Sequence, residues 1–293
     1  MAQARPVIKW VGGKTQLLPT LLDIFPKRAR TYYEPFIGGG AVFFALAAAG
    51  RFEQAVLNDQ NAELVNLYRV VRDFPEELMA WLSAREARYE QAPAAVYEAT
   101  RNPDALMAKE MSDPIAQAGR FIFLNKAGFN GLYRVNRSGD FNVSWGKKLV
   151  VRTHDPENIR ACAEVLNGVT LRQGDFADVC QTAGEGDLVY LDPPYVPLTP
   201  TSSFTSYTKD GFGLQDQQRL VRLVEELTER GAAVVVSNSD TPLTRELYGD
   251  FEIHEIQARR NANSKGDRRG PVGELIVVNR SCPRPLSLEA VLG

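Results

Sequence analysis

Histidine and cysteine are scarce in this chain of 293 residues: His154 and His254 are its only imidazoles, and Cys162, Cys180 and Cys282 are scattered and odd in number. With no paired spacing among them, a structural zinc site, a disulfide framework and a histidine relay for acid–base chemistry are all disfavoured. Any chemistry is expected to run without a metal. Long apolar runs are missing too: no stretch of about 18 such residues offers a membrane span, and Lys9 and Lys14 interrupt any leader-like start. A cytoplasmic protein is the expectation. The 44% hydrophobic and 24% charged content is that of a soluble globular protein, and the length allows one large domain, or one domain with a smaller insert.

A net charge of −2 gives no bulk attraction for a polyanion, but its distribution does. From Lys126 to Arg152 six basic residues (Lys126, Arg134, Arg137, Lys147, Lys148, Arg152) stand against one acid, Asp140. From Arg259 to Gly270 five (Arg259, Arg260, Lys265, Arg268, Arg269) stand against Asp267. These segments carry +5 and +4, leaving −11 on the remainder. Charge runs are usually solvated faces. Both of these, however, are rich in Gly, Asn and Ser, the composition of contact-bearing loops, and would suit a phosphate backbone.

Apolar spacing predicts helices over 61–73 (Leu64, Leu67, Tyr68, Val71), 75–90 (Leu78, Trp81, Leu82, Tyr89) and 114–126. Followed by the basic segment with a hairpin around Arg137-Ser138-Gly139-Asp140, they read as an insert of about 90 residues within an α/β domain. Strands are expected at 54–59, 169–171, 187–191 and 233–238, then as a closing antiparallel pair at 251–256 and 274–278. An amphipathic helix over 214–230 ends at Gly231, and residues 283–293 read as a tail.

Residues that bear chemistry cluster at the ends of these strands. Asp192-Pro193-Pro194-Tyr195 follows the apolar run Leu188-Val189-Tyr190-Leu191. Two prolines fix φ near about −65° and remove two backbone donors, so the strand ends in a stiff segment rich in acceptors. Asp192 accepts only, and Tyr195 offers a flat ring, so the fitting guest is an amino group on an aromatic heterocycle, held by the Asp192 carboxylate and the Pro193 carbonyl. The plain alternative is a Pro-Pro loop breaker beside an incidental aspartate. Near the N-terminus, Pro35-Phe36-Ile37-Gly38-Gly39-Gly40 joins an apolar segment to a helix running through Ala49, a turn that lets backbone approach a nucleoside. Phe43 stands where a dinucleotide fingerprint needs its last glycine, which weakens that reading. Asp59 ends the next strand at the offset of about 20 residues where a ribose-binding acid belongs, or it caps the following helix. Lys9-Trp10-Val11-Gly12-Gly13-Lys14 presents amides and ammonium groups to a carboxylate but lacks the spacing of a P-loop.

Taken in order, these strings, with Asn58-Asp59, Phe129-Asn130-Gly131-Leu132-Tyr133-Arg134 and Phe141-Asn142-Val143, resemble the Dam family of S-adenosylmethionine-dependent DNA adenine-N6 methyltransferases, from about residue 6 to about residue 279. The resemblance implies a Rossmann-like methyltransferase sheet, mostly parallel with one antiparallel edge strand. It also implies an inserted, mainly helical DNA-recognition domain carrying a β-hairpin, at 61–152, with the catalytic domain formed by 1–60 and 153–293. Asp192, Pro193, Pro194 and Tyr195 would be catalytic. Trp10, Lys14, Phe36, Gly38, Gly40 and Asp59 would serve S-adenosylmethionine, as would Asp175 and Phe176, although Gln173-Gly174-Asp175 is also a plain turn. Lys9, Asn130, Leu132 and Arg134 would contact double-stranded DNA, Arg134 suiting a guanine edge and Leu132 either wedging the stack or packing the hairpin. The chain from Thr199 to Gly213 would fold over a flipped base. The solution state implied is a monomer.

Ser144 stands where the best-known members have proline and Lys147 where they have arginine, both next to the DNA, so GATC is the implied target subject to these two departures. Related acceptors share the Asp/Asn-Pro-Pro-Tyr signature: cytosine N4, RNA adenine and protein glutamine. A catalytically silent DNA-binding regulator is the reading outside enzymes, and the intact Asp192 to Tyr195 argues against it.

Overall fold

The central strands β1 (Ala29–Glu34), β2 (Phe52–Asp59), β3 (Thr170–Gln173), β4 (Leu188–Leu191) and β5 (Ala233–Ser239) are parallel, and β6 (Glu252–Arg259) and β7 (Pro271–Val278) complete one sheet of order β3-β2-β1-β4-β5-β7-β6. The computed structural model describes residues 3–104, 108–109, 112–136, 138–196, 212–259 and 271–279. β7 runs antiparallel between β5 and β6 at one end of the sheet, making the closing antiparallel pair. Every residue of β4 and β5 is buried, as β-branched runs such as Val234-Val235-Val236 require in a sheet covered on both faces.

The period of two along a strand sorts these side chains between two cores. Tyr32, Leu188, Tyr190, Ala233 and Val235 join one cluster with Phe43 and Leu46 of the Ala41–Ala48 helix and Leu64, Leu67 and Tyr68 of the Ala62–Asp73 helix. Tyr33, Val189, Leu191, Val234 and Val236 join the other with Leu220, Leu223, Val224 and Leu227 of the Leu214–Glu229 helix.

The expected helices form at Ala62–Asp73, Pro75–Gln91 and Pro114–Ala127. Among the described residues, the helices Leu18–Ile24, Pro93–Arg101, Pro156–Leu166, Phe176–Val179 and Pro242–Leu247 go unread in the sequence. Pro93–Arg101 is short, with only Tyr97 and Thr100 buried, too few positions to show a helical period. Pro156–Leu166 starts at Pro156 behind an Asp155 cap that accepts from the Glu157 and Asn158 amides, the usual signal for a helix start. Phe121 and Ile122 of the Pro114–Ala127 helix enter the first core. Phe123 and Leu124, on its far side, form a third cluster with Tyr89, Tyr97, Phe141 and Val143. The hairpin is a loop bridged at Val135–Phe141, its turn braced by Asn136 Oδ1, which accepts from the Ser138 and Asp140 amides. Arg137, most of the 199–213 segment, 260–270 and the tail lie outside the described residues. Among the described residues, no helix is long and apolar enough to cross a membrane.

Candidate active site and nucleic-acid interface

β1 and β4 are neighbours at the centre of the sheet, and the chain leaving them returns to β2 on one side and to β5 on the other. The crevice beyond their carboxyl ends is where open α/β sheets bind ligands. The glycine turn lies there. Gly38 and Gly40 adopt φ of +49° and +72°, and a Cβ at Gly38 would come within 2.7 Å of the Trp10 ring. Tyr68 Oη donates to the Gly38 carbonyl at 2.8 Å, so the turn is held from below while Trp10 covers it.

Asp59 reaches this turn, accepting from the Gly38 amide at 3.2 Å and the Asn61 amide at 3.0 Å. Asn61, not Asp59, caps the following helix, accepting from Glu63 and Leu64. Burial raises the Asp59 carboxyl to about 6 against the pull of these amides. Beside it, Asn58 donates to the Pro35 and Gly174 carbonyls, while its own buried Oδ1 has no partner among the described residues. Phe36 stacks on Phe176 at 5.4 Å between ring centroids, and Phe212 meets both rings at 5.9 Å. Asp175 caps the Phe176–Val179 helix and pairs with Arg219 at 2.8 Å, and the Arg219 guanidinium lies over the Phe176 ring.

Asp192 follows β4 directly. Its Oδ2 pairs with Lys14 Nζ at 2.8 Å, with Lys14 only 5% exposed and Asp192 20%. Its Oδ1 accepts from Ser237 Oγ at 3.0 Å. Burial pushes the carboxyl above its ordinary range, while Lys14 and Ser237 pull the other way. The Lys14 ammonium also donates to the Gly12 carbonyl at 2.5 Å and lies 4.8 Å from the Tyr195 ring centroid. Tyr195 Oη donates to Glu274 at 3.0 Å, which fixes the ring. Pro193 is buried, and the Pro194 carbonyl accepts from Gln217. Glu34, at the end of β1, is buried with Tyr32 Oη donating to it at 2.9 Å; burial first, then the nearby Asp192 charge, raises its carboxyl well above the ordinary range.

The residues expected at DNA gather around the carboxyl end of the Pro114–Ala127 helix. Asn125, buried, accepts from the Lys9 amide and donates to the Lys9 and Gly131 carbonyls, each at 2.9 Å. It thereby ties the Lys9 segment to the turn that carries Asn130, itself exposed with φ of +55°. Phe129 pairs with Ser144 through the backbone, and Arg134, exposed, donates to the Asn142 carbonyl at 2.9 and 2.6 Å. Leu132 is half-buried against the third cluster, and Lys147 is exposed with φ of +54°. Trp10 stacks on Tyr133 at 5.5 Å, linking this surface to the glycine turn. Burial and the nearby Lys9 charge push the Lys126 and Lys148 ammonium groups down, the mark of a cationic cluster.

A family model described as D12 class N6 adenine-specific DNA methyltransferase matches residues 10–262. The chain belongs to that family. Type II methyltransferase M1.LlaDCHI of Lactococcus lactis subsp. cremoris is 41% identical over 277 residues, covering 94% of this chain and 95% of its own length. Type II methyltransferase M.MjaIII of Methanocaldococcus jannaschii is 37% identical over 288 residues, covering 94% of this chain and 99% of its own. DNA adenine methylase of Escherichia coli strain K12 is 35% identical over 280 residues, covering 95% and 96%. Within this adenine-specific methyltransferase, nothing in the spacing pointed to Ser237, Gln217, Glu274 or Asn125. The usable signal was a polar run, Ser237-Asn238-Ser239, fully buried at the end of an otherwise apolar strand. Buried polar groups need partners, and theirs are the Asp192 to Val196 segment and Gln217.

Proposed function

We propose that this chain moves a methyl group from S-adenosylmethionine to N6 of an adenine flipped out of duplex DNA, with GATC as the target. The observation that carries the reading is the Asp192 carboxylate, gripped by Lys14 and Ser237 where β4 ends beside the β1 glycine turn. The cofactor fits the residues present. Gly38 and Gly40 give close backbone approach, Asp59 and the unpartnered Asn58 Oδ1 are buried acceptors for ribose and amine donors, and Phe36 and Phe176 supply ring faces. Trp10 and Lys14 complete the pocket from the N-terminal segment, and Asp175, committed to Arg219, shapes its border. When bound, S-adenosylmethionine supplies a methyl group already activated on a sulfonium.

The chain's own residues must then prepare the nucleophile, because the adenine amine shares its lone pair with the ring. Asp192 and the Pro193 carbonyl accept the two N–H bonds and draw the nitrogen towards tetrahedral geometry, which localises the lone pair for attack; proton loss follows. Pro193 and Pro194 keep the acceptors stiff, and Tyr195 stacks on the base to offset part of a flipping cost of a few kcal/mol. Residues 61–152 act as the DNA-recognition unit, with Lys9, Asn130, Leu132, Arg134, Ser144 and Lys147 on its DNA face, and the chain works as a monomer. The test is tritium transfer to duplexes carrying GATC or its single-base variants. Wild type should label GATC preferentially, Asp192→Ala should label none while still binding cofactor, and Arg134→Ala should lose discrimination at one base by about 1–3 kcal/mol. Turnover by Asp192→Ala would overturn the catalytic assignment. Equal labelling of all duplexes by wild type would overturn GATC.

A further inference from the structure

Among the described residues Lys14 holds one oxygen of Asp192 and Ser237 the other, with the Tyr195 hydroxyl also pulling its carboxyl down, and Ser237 belongs to a strand that sequence motifs leave unmarked. β4 and β5 pair in parallel with Leu191 opposite Val236, so Asp192 and Ser237 follow at the same level. By the period of two, both side chains rise on the face that carries Tyr190 and Val235. Ser237 Oγ lies 3.0 Å from Asp192 Oδ1 and 2.8 Å from Tyr190 Oη. Both Ser237 and Tyr190 are fully buried, so no bulk water competes for these bonds.

The direction of the chain follows from proton counting. A carboxylate only accepts, so the single Ser237 proton goes to Asp192, and Ser237 must then accept from Tyr190. The neighbouring polar residues do other work: Asn238 accepts from the Val196 amide, and Ser239 donates to the Val196 carbonyl. Rotation about the last torsion of an aspartate is soft, and a single donor leaves the carboxylate free to swivel. Lys14 on Oδ2 and Ser237 on Oδ1 remove that freedom.

We propose that Ser237 is a positioning residue for methyl transfer: its hydroxyl, oriented by Tyr190, fixes the rotation of the Asp192 carboxylate so that a free lone pair faces the substrate amine. This rests on the catalytic reading of Asp192. The role lies in aim and touches neither cofactor nor DNA, so it should appear in kcat and not in binding.

The experiment compares Ser237→Ala, Tyr190→Phe, the double variant and Asp192→Ala in steady-state methylation, with cofactor affinity and urea unfolding measured on each. Ser237→Ala should lower kcat by about 10- to 100-fold, the scale of one hydrogen bond lost from a charged group, with both KM values and the cofactor Kd within about twofold of wild type. Tyr190→Phe should lower kcat by a smaller factor, and the double variant should match Ser237→Ala, because the tyrosine acts only through the serine. Ser237→Thr, which keeps the donor, should recover most of the rate. Wild-type kcat in Ser237→Ala with an inactive Asp192→Ala would overturn the positioning role alone, as would losses that multiply in the double variant. An active Asp192→Ala would instead overturn the reading of the site on which the role depends.

Discussion

Replacing Lys14 by Met keeps the length and apolar packing of the stem and deletes only the ammonium that faces Asp192. The pair is short, 2.8 Å, and Lys14 is 5% exposed against 20% for Asp192. Breaking a buried pair from one side costs about 3–5 kcal/mol because the surviving charge is stranded, and with Asp192 one-fifth open the lower end, about 3 kcal/mol, applies at pH 8. Stranding the charge moves the Asp192 carboxyl further upward. The carboxyl is already pushed up by burial. A folded carboxyl whose pKa lies above its unfolded value holds a proton that the unfolded chain has released, so stability falls as pH rises through that interval. Lys14→Met should therefore show its full deficit at pH 8 and a smaller one at pH 6, because proton uptake by Asp192 as pH falls removes the stranded charge. Turnover should follow the opposite slope, recovering as pH rises and the carboxylate returns. Urea unfolding of variant and wild type at both pH values decides the matter. A deficit below about 1 kcal/mol at pH 8, or one that does not change with pH, would refute the idea that the ammonium holds a buried carboxylate.

Asp59 offers a second pH signature. With its carboxyl raised to about 6, cofactor affinity should weaken as pH falls through that value, and calorimetric titration of Asp59→Asn should show weaker binding with that dependence gone. Gly38→Ala places a Cβ 2.7 Å from the Trp10 ring at φ of +49°, which should cost about 1–2 kcal/mol for the left-handed backbone and about 1–3 more for the clash. Gly50→Ala, at φ of +62° with nothing within 4 Å, isolates the backbone part, and equal losses in urea for the two variants would mean that Trp10 does not press on the turn.

Much of this arrangement was legible beforehand because it is written in local patterns. β4 and β5 are apolar runs bounded by turn residues, the glycine turn needs positive φ, and Asp192-Pro193-Pro194 stops a strand by its own covalent geometry. The helices at Ala62–Asp73, Pro75–Gln91, Pro114–Ala127 and Leu214–Glu229 form within a residue or two of where their spacing puts them, whereas Pro93–Arg101, with two buried positions, leaves no period to read, and Pro156–Leu166 goes unread although five of its residues are buried. The supports of the site were not legible, because they depend on pairings between distant segments. Ser237 lies 45 residues from Asp192 and Glu274 79 from Tyr195, and only the register of the sheet brings each pair together. Asp59 shows the same limit: its spacing from the glycines was visible, but the Asn61 amide and Gly38 that it binds, and Asn61 as the true cap, were not.

Asn125 clasps the Lys9 backbone with both ends of its amide and the Gly131 carbonyl with its nitrogen, while Trp10, next along, lies against both Tyr133 and the glycine turn. Two stretches more than a hundred residues apart in the chain are thus one mechanical part. Under the proposed DNA reading, a chimera that exchanges only the 128–145 loop would put a new loop onto the old bracket. The donor's residues equivalent to 8–14 should travel with it.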